Sequence, residues 1–380
     1  MPFKVPIIMK VKGVVFAVLA AFFAPAMNST WAVVDTRGID VVRNKTVLDN
    51  RDLFIIDNYL TEAVREIVRT RDFTSVAKLR SDIITRQGTQ PQYAEQYSNS
   101  AQKYISSGLE EALKLPEERR TKVVANLLIL VDGLGDLRLA DMAIARLKDK
   151  NTLICYWAVH CITSEGIVKQ LNAGGTANVK IARLFVERLK ELVDGSSPEI
   201  IGLIAKFAGD INIPQGEELL LQITDMRIKK YAGWTVEYEL LDEAILKLLD
   251  GKMASGSGGS VKSAVRFGQL YSFAIQRYVK GRELLIATQK RQLASVLVET
   301  EDKCVGRILG RPQSTIKKAV ERDDFTAIVE EHNRLLGDGT RAGELSSKLN
   351  FDYGTASGGG KRTAPLPLPA PPPKKTTPSK

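Results

Sequence analysis

The sequence is poor in the side chains from which enzymes build metal and nucleophile sites. It has only two histidines and three cysteines in 380 residues. No H-E-x-x-H, C-x-x-C or G-x-S-x-G occurs, so zinc proteases, dithiol redox proteins and serine hydrolases lack their minimal parts. Cys155 and Cys161 lie six positions apart on one expected helix, which puts them on separate faces, so no disulfide framework is expected and the thiols should be buried. His160 follows Trp157-Ala158-Val159 and is expected to be a packed histidine. His332, beside Glu330 and Glu331, is expected on a solvated face. No catalytic, cofactor or metal site is expected. Paired carboxylates such as Glu110/Glu111 and Asp242/Glu243 are read as solvated helix faces. A secreted all-α glycan-active enzyme, which would need such a pair, is the third expectation.

Long apolar runs are also absent. The longest, Gly13 to Met27, falls short of the roughly 20 residues a spanning helix needs. Lys4, Lys10 and Lys12 precede it without any acidic residue, and Ala24-Pro25-Ala26 supplies a small-x-small cleavage pattern. Residues 1–26 therefore read as a secretory signal peptide, with a second candidate cut after Ala32 and an uncleaved anchor as the alternative. Export to a periplasmic or extracellular location follows from that reading.

The formal charge of +10 is unevenly spread. Residues 27–251 hold 29 basic and 32 acidic residues, whereas 252–298 hold eight basic residues against Glu283 alone. Nucleic acid is therefore not an expected partner for the fold as a whole.

What the sequence does have is helical periodicity from Asn50 onward. Leu53, Ile56, Leu60, Val64 and Ile67 make an amphipathic stripe. Asp72 is a candidate N-cap, and Pro116 with Glu117 and Glu118 opens a further helix. From Lys122 to Leu171 an apolar helix ends in a Gly-rich break, and a second helix is expected over Leu137–Lys148. The polar corner Asp149-Lys150-Asn151-Thr152 then leads into a helix apolar nearly all round, which needs neighbours on several sides. NTLICYWAV at 151–159 aligns with PEIIGLIAK at 198–206, an offset of 47 residues. Residues 68–76 and 320–328 echo each other as helix–corner–helix units, each with an Asp cap (Asp72, Asp324) and a Phe to plug the corner (Phe73, Phe325).

The run LADMAIARLKDKNTLICYWAVHCI resembles a HEAT repeat: an apolar first helix, an acidic corner, and a second helix with a Tyr-Trp-Ala-Val core. Cys155 stands where that family usually carries a basic residue. The resemblance covers about residues 125–208 and implies an all-α fold of stacked antiparallel helix pairs, a HEAT/armadillo-like α-solenoid. Solenoids bind along extended faces, so the expected function is that of an exported non-catalytic scaffold that binds another protein.

The expected organisation is a signal peptide (1–26), an extended lead-in (27–49), a helical repeat domain (50–251), a Gly/Ser linker (252–262), a C-terminal helical segment (263–336) and a disordered Gly/Pro/Lys tail (337–380). Gly256 to Ser263 is no P-loop, because Val261 replaces the required glycine and no strand precedes it. At 100° per residue, Lys262, Arg266, Arg277 and Lys280 fall within about 60° on one face, with Phe273 among them. That stripe, with the basic tail, gives the alternative expectation: a binder of an anionic envelope polymer or membrane surface.

Overall fold

The computed structural model describes residues 34–254, 260–356 and 358–373. Its helices are α1 (Arg37–Val42), α2 (Asn50–Arg69), α3 (Phe73–Thr85), α4 (Pro91–Ala112), α5 (Glu117–Leu134), α6 (Ala140–Ile144), α7 (Thr152–Thr163), α8 (Glu165–Ala173) and α9 (Thr176–Lys190). Then follow α10 (Pro198–Asp210), α11 (Pro214–Ala232), α12 (Leu240–Ala254), α13 (Ser260–Lys280), α14 (Ala287–Thr300), α15 (Gly306–Leu309), α16 (Thr315–Glu321), α17 (Phe325–Leu336) and α18 (Glu344–Lys348). Among the described residues there is no strand, only the isolated bridges Gly337–Ala342 and Thr355–Lys361. The fold is all-α.

The corners are set by short polar side chains that take up the unpaired amides of a helix start. Asp49 accepts from the Asp52 amide at 2.9 Å, and the Asp52 carboxylate accepts from the Asp49 amide at 3.1 Å. Asp72 caps α3 through the amides of Thr74 and Ser75, and Asp324 caps α17 through that of Ala327. Asn151 caps α7 and also donates to Thr121 of α5 at 3.2 Å, tying the corner to the preceding helix. Glu301 works differently. A π-turn at Glu301–Val305 places its buried carboxylate where the amides of Ile316 and Lys317 donate to it at 2.7 and 2.9 Å, capping α16 from outside.

Packing follows two series of contacts that skip intervening helices. In one, α3 packs on α5, α5 on α7, α7 on α10, α10 on α12, α12 on α14 and α14 on α16. In the other, α2 packs on α4, and α9 on α11, α11 on α13 and α13 on α17. Sequential pairs such as α10–α11, α12–α13 and α16–α17 join the two. The helices aligned at the 47-residue offset, α7 and α10, are therefore in direct contact, with Ala205 buried and Trp157 packed on the core. One contiguous apolar core runs from Ile39 to Leu368.

Several boundaries differ from the sequence expectations. Residues 34–49 are not wholly extended, because Ile39 and Val42 are buried and wind into α1. The helix expected over 137–148 is a 3-10 turn, the five residues of α6 and further turns. The single apolar helix expected through Leu171 breaks at Ser164, where extended backbone (ψ 151°) starts α8. α12 begins only at Leu240, since Trp234 and Tyr238 hold left-handed backbone (φ 57° and 54°). Phe73 does not plug its corner: it is 54% exposed, with the Lys122 ammonium 5.3 Å from its ring centroid. His332 is turned inward rather than solvated, its Nε2 lying 2.8 Å from Ser272 Oγ.

Residues 252–254 continue α12 and Ser260–Lys262 begin α13, so within the expected linker only 255–259 lie outside the described residues. Within the expected tail, residues 337–356 and 358–373 form α18 and then lie along α13, burying Tyr353 and Leu368. The expected signal peptide (1–26), residues 27–33 and the terminal lysines Lys374, Lys375 and Lys380 lie outside the described residues. No described helix is long and apolar enough to cross a membrane.

Candidate functional site

The basic stripe is not one exposed face. α13 is surrounded by α11, α12, α14, α17 and α18, and a helix enclosed on so many sides must bury its charges or pair them. Lys262 is exposed, and Arg266 forms a two-point ion pair with Asp225 of α11, both contacts at 3.1 Å. Phe273 is buried against Tyr231. Arg277 is 3% exposed; it reaches Val236 O at 3.2 Å and Glu239 at 3.4 Å, and lies 5.5 Å from the Trp234 ring. Burial pushes the Glu239 carboxyl above its ordinary range. Lys280 donates to Leu368 O at 2.8 Å. The spacing put these residues on one face correctly; what it could not register was the neighbours covering that face.

Beside this cluster lies a second buried ion pair. Arg227 contacts Asp242 at 2.7 and 2.9 Å, and the Tyr231 hydroxyl donates to Asp242 at 2.7 Å. The same guanidinium donates to Glu237 O at 3.0 Å and Tyr238 O at 3.5 Å. These contacts tether the Glu237–Tyr238 end of the 233–239 loop, and at its other end stands the Trp234 indole. It points at the C-terminal segment, donating to Pro369 O at 3.2 Å.

That segment fills a groove along α13. Gly268, Ser272, Gln276 and Lys280 recur every fourth residue, so they form one stripe up the helix. At Gly268 an added Cβ would stand 2.7 Å from the Tyr353 hydroxyl, so the missing side chain is what seats that ring. Further up, Gln269 and Leu366 pair reciprocally, amide to amide, at 2.8 and 3.2 Å. Gln276 accepts from the Leu368 amide at 2.7 Å and donates to Leu366 O at 3.3 Å.

Three features match the way a polyproline II segment is recognised. Inside Pro365-Leu-Pro-Leu-Pro369 only Leu366 and Leu368 carry an N–H, and both are bonded. Pro365 and Leu368 are buried and Pro371 partly so, while the residues between them are exposed; that three-residue period is the period of polyproline II. Two such residues advance about 6.2 Å, close to the roughly 6 Å between Gln276 and Lys280 on the helix. The prolines were legible in the sequence, but their acceptors on α13 were not, because glutamines on a helix carry no such signal.

The remaining candidates are smaller. His160 Nδ1 lies 3.0 Å from Asp132, with Tyr156 and Trp157 beside the ring, and no described nucleophile completes a triad with that pair. Cys155 and Cys161 are buried, each thiol within 3.1 Å of a backbone carbonyl, and burial pushes the Cys304 thiol up to about 12. Among the described residues no three His, Cys, Asp or Glu side chains are grouped to hold a metal. Compared with known proteins, the chain matches no family model and no curated protein.

Proposed function

We propose that this chain is a non-catalytic interaction scaffold, a HEAT/armadillo-like α-solenoid that presents extended helical faces to another protein, exported by way of residues 1–26. The observation that carries this reading is the pair of helix series packed across intervening helices, the contact pattern of stacked two-helix layers. Such a stack offers length rather than a cleft, and the groove along α13 is an instance of one of its helices gripping an extended chain. The alternative, an anionic polymer or membrane surface, keeps Lys262 and Lys280 as exposed cations, but Arg277 is enclosed and Arg266 already paired.

Selection of peptide fragments against the chain from residue 33 onward, repeated from about 50 mM to about 500 mM salt, tests the proposal. The scaffold reading expects ligands retained at high salt. Enrichment of acidic ligands alone, all lost at high salt, would favour the anionic-surface reading; no enrichment at either salt would end both.

A further inference from the structure

We propose that the groove formed by Gln269, Gln276, Lys280 and Trp234 is a receptor for proline-rich extended segments of other proteins, and that residues 361–373 are its built-in occupant. The inference rests on the scaffold reading and names the partner class for one of its faces.

The groove recognises main chain rather than a particular side chain. Two glutamines, a lysine and an indole N–H contact the two amides and three carbonyls between Leu366 and Pro369. Side-chain selection is confined to the buried positions Pro365 and Leu368. A ligand therefore needs a proline and a large aliphatic residue three apart, amides at alternate positions, and a backbone already set in polyproline II. Nothing in those requirements demands that the ligand belong to the same chain.

The built-in segment is also placed to leave. Leu366 is 45% exposed, and the chain leading to the segment passes through Gly358, Gly359 and Gly360, where an added side chain would meet open space. From Leu366 to Pro369 the hydrogen bonds that hold it come from side chains, with Pro365 and Leu368 buried, while Arg362 is tied by backbone bonds to Tyr353 and Gly354. A tethered occupant acts at an effective concentration on the order of mM, so a free ligand of micromolar affinity is kept out until the segment is drawn away.

The test uses the full chain and a fluorescent peptide of residues 361–373, read by anisotropy. Leu368→Glu in the chain spoils the occupant and leaves the groove intact, and it should raise peptide affinity at least about tenfold over the unaltered chain. Adding Gln269→Ala and Gln276→Ala should remove that gain, and a peptide carrying the same Glu should not bind. A Leu368→Glu chain that unfolds cooperatively at its usual midpoint but takes no peptide would overturn the proposal. As a second arm, a protease site is inserted at Gly359 and cut. Exchange of the nicked segment for labelled peptide supports the proposal. Retention without exchange, or collapse of the fold in both arms, would show a fixed structural staple and end it. Salt-resistant ligands selected by a Gln269→Ala, Gln276→Ala chain would mean that the scaffold reading survives that failure.

Discussion

Replacing Asp242 by Asn tests the buried ionic cluster on which the Trp234 loop depends. Asp242 is fully buried and Arg227 is 2% exposed, so the substitution leaves a guanidinium enclosed without its counter-charge. Removing one partner of such a pair costs about 3–5 kcal/mol. The lower end is expected here, because the Asn carbonyl can still accept from the Tyr231 hydroxyl and the buried Glu239 carboxylate stands nearby. About 3 kcal/mol should appear as a lowered urea midpoint at unchanged slope. The double variant Arg227→Met, Asp242→Leu removes both charges and should recover much of the loss, though the carbonyls of Glu237 and Tyr238 lose their donor. A double-mutant cycle should therefore give a coupling of about 2 kcal/mol or more. If Asp242→Asn costs less than about 1 kcal/mol, or the two substitutions simply add, the cluster does not set the loop and the argument fails.

Three further outcomes are expected. Burial holds the His332 imidazole below its ordinary value of 6.5, with Lys280 acting the same way, so its contribution is present above that value and lost as pH falls through the lowered one. Urea midpoints of the wild type should accordingly fall below about pH 6.5 more steeply than those of His332→Gln, and parallel curves would contradict this. Asp72→Ala removes the cap of α3 and should cost about 1 kcal/mol by denaturation, with amide exchange accelerated at Thr74 and Ser75 first. Gly268→Ala gains helix propensity but drives a methyl into the Tyr353 ring, so α13 should persist while the Leu366 and Leu368 amides lose protection from exchange. Unchanged protection there would show that Tyr353 accommodates the methyl.

The helical architecture was largely legible because it rests on local signals. Periodicity, Asp72, Pro116 and Asn151 each announce a helix or its start, and the 47-residue offset paired α7 with α10, which the fold brings into contact. What failed was information held between distant residues. The angular clustering of Lys262, Arg266, Arg277 and Lys280 was sound, but a helical wheel records direction and not the neighbours enclosing it, so Arg277 looked like surface. The left-handed backbone at Trp234 and Tyr238 is not legible either, because neither residue is glycine; at Tyr238 it is accompanied by bonds from Arg227 that the sequence does not announce. The composition of the proline run carries the backbone preference of the segment but not the α13 side chains that bond it.

The contact between Trp234 and Pro369 closes a loop of 135 positions, from the turn before α12 to the far side of α17 and α18. In an array held by neighbour contacts, the layers at an extremity have one partner fewer and open first. Here α14 to α17 lie inside that closed loop, belted back onto α13, so they cannot lift away singly. Departure of the belt would leave those four helices, within residues 287–336, held by their neighbour contacts alone.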